Sequence, residues 1–177
     1  DIVRLPVPDA NEGMGVSLRT GFAAIPPEEQ AAMLLLADLP ELTAADLKTV
    51  LEAVDPASGK LIWHATTEDS QRGHPVVFHR DLFAEFAKLS GDVGARDVVK
   101  AAGTKVAHVM LPGNRARLDL DTPEAWAAWR AIPTGGLSGE PQGLGRPLAQ
   151  LLLLGGGALA VSVASIVPLA MAVPFVV

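Results

Sequence analysis

The sequence contains no cysteine. Disulfide bridges, thiolate metal sites and cysteine nucleophiles are thereby excluded, which fits a reducing, cytoplasmic setting. A basic excess is missing as well: 14 Lys and Arg against 20 Asp and Glu give a formal net charge of −6 and a pI near 5.1. A nucleic-acid surface needs a basic stripe, so that class of function is disfavoured. A nucleotide site stays open, because the local field depends on arrangement rather than on net charge. No internal repeat and no N-terminal signal stand out. Charge is absent altogether from residues 148–177. That stretch accounts for much of the mean hydropathy of +0.31, which misdescribes the rest of the chain.

The length of 177 residues suits one domain with a sizeable core. Residues 1–132 have ordinary globular patterning, residues 133–147 are a Gly- and Pro-rich linker, and residues 148–177 form an apolar tail. The tail exceeds the roughly 20 apolar residues that span a bilayer. Arg146, the nearest charge, lies on its N-terminal side, as in a tail-anchored protein with a cytoplasmic domain. Gly155, Gly156, Gly157, Pro168 and Pro174 weaken the helix. Two other readings stand beside the membrane one. Residues 151–154 could form a strand followed by a Gly loop, or the tail could be a stretch translated past a frame error.

Within the patterned part, Met33, Leu34, Leu35 and Leu36 form a short apolar run, as expected of a strand buried on both faces. Asp38 follows it, and Pro40 stops the strand. Thr43 is placed to cap a helix, with Asp46 three residues on as the reciprocal partner. Leu47, Val50, Leu51 and Val54 give that helix an apolar face, and residues 55–59 end it in a turn. Residues 61–63 and 75–78 read as two strands joined by the polar stretch 66–73. Leu82, Phe83, Phe86 and Leu89 mark the buried face of a helix, residues 97–101 a short one, and residues 106–111 a strand interrupted by His108. Pro123 suits the first turn of a last helix carrying Trp126 and Trp129. The alternation of strands and helices predicts an α/β sandwich.

The chemistry-bearing residues cluster where such a fold would use them. Asp38 sits just beyond an apolar run, at the strand end where open α/β sheets bind ligands. A second carboxylate group, Asp119 and Asp121, precedes Pro123. Two such carboxylates can share a hard cation that neutralises a nucleotide's phosphates. Asp121 could equally cap the helix after it. His74, between Gly73 and Pro75, is constrained by both neighbours and could merely start a strand. His64, His79 and His108 have no such context and read as structural or exposed. Asp92 could cap a helix beginning near Gly94, and Arg96 could bind a phosphate or simply pair with Asp92.

Taken together, these motifs resemble the MobA-like nucleotidyltransferases, and within them the molybdenum cofactor cytidylyltransferase branch. The resemblance runs from about residue 11 to residue 131. It rests on Gly13 to Gly21, with Ser17, Leu18 and Arg19 as the family's nucleotide loop, and on the Asp38–Pro40, Gly73–His74–Pro75, Gly91–Arg96 and Asp119–Glu124 motifs in the family's order. Leu39, where the family usually has Gln, and Ala125, where a second acidic residue usually follows Glu124, depart from it.

The resemblance implies a Rossmann-like three-layer α/β sandwich of the nucleotidyltransferase type. It implies Mg²⁺ held by Asp38 and Asp121, with Asp119 as the fallback, and Ser17 and Arg19 facing CTP (or GTP). Gly73, His74, Pro75, Asp92 and Arg96 would face a molybdopterin acceptor. The family's opening strand and glycine-rich phosphate loop, Leu-Ala-Ala-Gly followed by Gly, Arg and Lys, has no counterpart in the sequence. Residues 1–5 read instead as a strand about one third of the way into the family domain. The expectation is therefore a domain incomplete at its N-terminus and inactive alone. The other expectation is a non-catalytic, nucleotide-binding-like module attached to a membrane.

Overall fold

A computed structural model describes residues 5–132, together with the backbone of two short strands at residues 159–162 and 175–176. The strands are β1 (Ala31–Leu36), β2 (Ile62–Thr66), β3 (Arg72–His79), β4 (Val106–Met110), β5 (Leu159–Ser162) and β6 (Phe175–Val176). The helices are α1 (Met14–Ala23), α2 (Ala44–Glu52), α3 (Phe83–Phe86), α4 (Arg96–Ala102) and α5 (Pro123–Ala131). The strands form a single sheet in the order β4-β2-β3-β1-β5-β6. Strands β2 and β4 are parallel, and β3 runs antiparallel to both β2 and β1. The carboxyl ends of β1, β2 and β4 therefore share one edge of the sheet with the start of β3.

Helices cover both faces, as the three-layer expectation requires. On one face Leu18 and Phe22 of α1, Phe86 of α3 and Val98 of α4 pack on Ala32, Leu34, Ile62, Val76 and Phe78. Phe22 and Phe86 stack with ring centroids 3.5 Å apart, and Phe78 meets Phe86 edge-on at 5.0 Å. On the other face Val50 of α2 joins Met33, Trp63, Ala65, Val77, Leu111 and Ala116. Alternate residues of β1 and β2 thus serve opposite cores, which is why both strands read as nearly continuous apolar runs.

The Thr43–Asp46 capping box forms as expected: Thr43 Oγ1 accepts from the Asp46 N–H, and the Thr43 N–H donates to Asp46 Oδ2 at 2.9 Å. Several boundaries differ from expectation. Strand β3 starts at Arg72, so Gly73, His74 and Pro75 lie inside a strand, with a cis bond between His74 and Pro75. The helix at residues 82–89 shrinks to the single turn of α3, although Phe86 and Leu89 are buried as predicted. Strand β4 passes unbroken through His108, since an exposed side chain on an outer strand interrupts nothing.

Of residues 1–5, only Leu5 is described, and it is not in a strand. The 133–147 linker and most of the 148–177 tail, including residues 151–157, lie outside the described residues. Within the tail, β5 pairs antiparallel with β1, Met33 opposite Ser162 and Leu36 opposite Leu159. Among the described residues no helix is long and apolar enough to cross a membrane.

Candidate active site

Asp38 lies two residues beyond β1, on the edge where β1, β2 and β4 end. Its carbonyl accepts from the Leu120 N–H at 3.1 Å, which draws the 119–121 segment to its side. One Asp38 carboxylate oxygen is fully enclosed and has no hydrogen-bond partner. Burial raises its pKa above the usual 3.8, and the charges of Asp121 and Asp119 raise it further. A hydrogen bond to its own backbone and the nearby His74 act the other way. Asp119 and Asp121 are exposed. Thr122 caps α5, accepting from the Ala125 N–H at 3.1 Å, so Asp121 is not needed for that task.

Such an arrangement is costly without a cation. The ionised state of Asp38, with a buried unpaired oxygen and the charges of Asp121 and Asp119 nearby, is disfavoured, and a hard divalent ion would relieve it. The donor set is all oxygen, which fits Mg²⁺ or Mn²⁺. Among the described residues, however, no three His, Asp or Glu side chains already converge on one point. The remaining ligands would be water and phosphate oxygens, as is usual for Mg²⁺ at nucleotide sites.

His74 completes this corner. Burial lowers the pKa of its ring, opposed by the Leu34 backbone and by Asp38, and its Nδ1 has no partner. It is held by its own N–H donating to the Ala116 carbonyl at 2.7 Å. Gly73 permits that approach: a Cβ there would overlap the Ala116 backbone. Pro75 is buried beneath it.

The other predicted residues form a second group. Gly13, at φ +114°, begins α1 against the Gly91 and Asp92 turn, where a Cβ would strike Asp92 and Gly91. The Gly15 N–H donates to the Gly91 carbonyl at 2.8 Å. The motif containing Ser17 and Arg19 and the motif containing Asp92 thus dock on each other. Ser17 and Arg19 lie on helix α1 rather than on a loop. The Arg19 guanidinium donates to the Leu89 carbonyl at 2.7 Å, so part of its capacity is structural. Asp92 does not cap α4, whose N-cap is Ala95. No ion pair joins Asp92 to Arg96 among the described residues, and both are exposed.

Two features add to the expected site. His64, read as structural or exposed, is buried, with an unpartnered Nδ1. Desolvation, then the neighbouring His74, lowers its pKa to about 4; His108, with its ring centroid 6.3 Å away, acts in the same direction. The signal was available in the alternation of Ile62, His64 and Thr66, which sets His64 on a core face. The polar stretch 66–73 also builds one wall of a cleft of about 290 Å³, lined by Thr67, Asp69, Gln71, Asn114, Arg117 and Leu118.

Asp38, just beyond the carboxyl end of β1 in a helix-covered α/β sheet, sits where such folds bind ligands. The sequence matches the MobA-like NTP transferase domain over residues 1–108, and the chain belongs to that family. Among solved structures it is similar to Rv0371c from Mycobacterium tuberculosis H37Rv, at 28% identity, TM-score 0.55, covering 65% of this chain and 58% of that one. The manganese complex of Rv0371c gives 28% identity and TM-score 0.54, covering 63% of this chain and 57% of that one. A homologue from Mycobacterium sp. strain JC1, at 23% identity and TM-score 0.54, covers 64% and 55% and speaks for the fold alone. The match thus spans just over half the length of these relatives. No curated protein matches the sequence.

Proposed function

We propose that this chain carries the acceptor side of a nucleotidyltransferase that moves a cytidylyl group from CTP to a molybdopterin-type cofactor. In that reaction an acceptor phosphate oxygen attacks the α-phosphorus of CTP, the bond to the bridging oxygen breaks, and pyrophosphate leaves. A divalent ion, Mg²⁺ in the cell, would neutralise phosphate charge when bound. Asp38 and Asp121 would hold it, with Asp119 in reach of the same field. Neutral His74, with Gly73 and Pro75, would border the acceptor. Ser17 and Arg19 would face the nucleotide, and Asp92 and Arg96 the acceptor. The observation that carries this reading is the enclosed, unpartnered Asp38 oxygen beside two further carboxylates and a neutral imidazole. GTP as donor is the nearest variant.

That no three His, Asp or Glu side chains converge on one point among the described residues favours a second reading, a non-catalytic nucleotide-binding-like module. One experiment separates the two. The chain joined to the glycine-rich loop segment of a family member should release pyrophosphate when given CTP, molybdopterin and Mg²⁺. Asp38→Asn should lower that rate by roughly a hundredfold or more, the scale expected for loss of a charge-stabilising group. A loop-bearing chimera that stays silent with both CTP and GTP would support the non-catalytic reading.

A further inference from the structure

The carboxylate corner is assembled from two stretches that lie far apart in the chain, residues 37–46 after β1 and the 111–121 loop after β4. The loop is folded tightly on itself. The Asn114 carbonyl accepts from the Arg117 N–H at 2.8 Å and from the Leu118 N–H at 3.0 Å, and the Asp119 N–H donates to the Arg117 carbonyl at 2.8 Å. Two of its backbone groups reach the site. The Ala116 carbonyl accepts from the His74 N–H at 2.7 Å, and the Leu120 N–H donates to the Asp38 carbonyl at 3.1 Å. Where Asp119 and Asp121 stand relative to Asp38 therefore depends on how this loop is seated.

One charged contact seats it. Arg115 Nη1 donates to both carboxylate oxygens of Asp46, at 3.3 Å and 3.4 Å. Asp46 lies in the first turn of α2, with its side chain only 5% exposed. Its other partners are local and neutral: the Thr43 N–H and hydroxyl donate to Oδ2 at 2.9 Å and 2.8 Å. A capping box completes its own hydrogen bonds and needs no guanidinium. A carboxylate taken out of water does need its charge matched, and here the match comes from 69 residues away. The other ion pairs among the described residues, Lys48–Glu52, His79–Asp81 and Lys88–Glu85, join near neighbours in sequence with at least one exposed partner. Arg115 directly precedes Ala116, which is buried with Leu111 in the same core as Val50 of α2. Ion pair and apolar packing thus fasten one end of the loop to one helix.

We infer that Arg115 is a positioning residue: paired with Asp46, it fixes the 111–121 loop against α2 and so holds Asp121 and Asp119 beside Asp38. Its consequence for metal and nucleotide rests on the nucleotidyl-transfer reading of the corner, whereas the brace itself can be tested without it. Arg115→Gln alone leaves Asp46 charged, buried and unpaired, which should destabilise the whole fold. The informative variant is the double one, Arg115→Gln with Asp46→Asn. It removes the brace, keeps a side-chain oxygen for the Thr43 cap and leaves no unpaired charge, so it should melt close to the wild type.

The test is amide hydrogen exchange in the full chain, followed by NMR and paired with Mn²⁺ titrations in the presence of CTP. In the double variant the Leu120 and His74 amides should exchange about tenfold faster or more, while Val77 and Phe78 in mid-sheet stay within about twofold of the wild type. Arg115→Lys should keep the slow amides, because a single nitrogen makes both contacts and an ammonium can stand in its place. Lys48→Gln, in an exposed pair on the same helix, should change nothing. The double variant should also lose most of the roughly tenfold gain in Mn²⁺ affinity that CTP gives the wild type, and Arg115→Lys should retain it. Equal acceleration at all four amides, or none at Leu120 and His74, would overturn the inference. So would a full CTP-dependent gain in a double variant whose two amides are fast. Fast amides in the double variant beside a wild type that gains no Mn²⁺ affinity from CTP would leave the brace standing and sink the transfer reading.

Discussion

At the residue scale, the cost of holding Asp38 ionised can be measured directly. Its folded pKa lies above the unfolded value because burial and the Asp121 and Asp119 charges disfavour ionisation. An acid shifted in that direction stabilises the fold below its unfolded pKa, and that contribution is lost as the pH rises through the folded pKa. At neutral pH without metal, Asp38→Asn should therefore raise the melting temperature rather than lower it. Thermal melts in a chelator check this. A fall in Tm would mean that Asp38 is a structural group.

The histidines predict the opposite slope. His64 is held near pKa 4 in the fold against 6.5 free. Its contribution is complete above about pH 6.5 and lost as the pH falls towards 4, with His74 acting in the same direction. A shift of that size corresponds to on the order of 3 kcal/mol for this nearly fully buried ring. Denaturant melts from pH 7 to pH 4 should show stability declining through this window, with a shallower decline in His64→Gln. An identical pH dependence in the variant would move the titration elsewhere. Sequence alone pointed to Asp38 and His74 through their neighbours, an apolar run before one and Gly and Pro around the other. It left His64 as structural or exposed, although the alternation of Ile62, His64 and Thr66 already sets that residue on a core face.

At the element scale, local signals survived where they were self-contained. The Thr43–Asp46 capping box, the apolar face of α2 and Pro123 in the first turn of α5 all depend on residues within one turn of each other, and all are present. Boundaries set by distant contacts were less legible. Strand β3 extends back to Arg72 because Ala116 binds the His74 backbone, which no local pattern announces. The same applies to β5, whose pairing with β1 depends on a partner more than a hundred residues away. Deleting everything after residue 132 removes that neighbour and bares an edge of β1. The truncated chain should melt roughly 5 °C or more below the full one. Unchanged melting together with better solubility would return the tail to a role outside the sheet, as in the membrane reading.

At the scale of the whole molecule, the arrangement brings two groups of predicted residues onto one α/β scaffold by different means. Gly73, His74, Asp38 and the 119–121 segment are gathered by the sheet edge and the loop after β4. The α1 motif and the Gly91–Asp92 turn meet through close glycine packing. The metal-centred reading of the first group is the central claim, and Mn²⁺ binding followed by electron paramagnetic resonance tests it most directly. The chain should bind Mn²⁺ weakly by itself, since few carboxylates hold such an ion without phosphate oxygens, and about tenfold or more tightly when CTP is added. Asp38→Asn and Asp121→Asn should each abolish that gain. Mn²⁺ and CTP binding to Asp38→Asn as to the wild type would contradict the account.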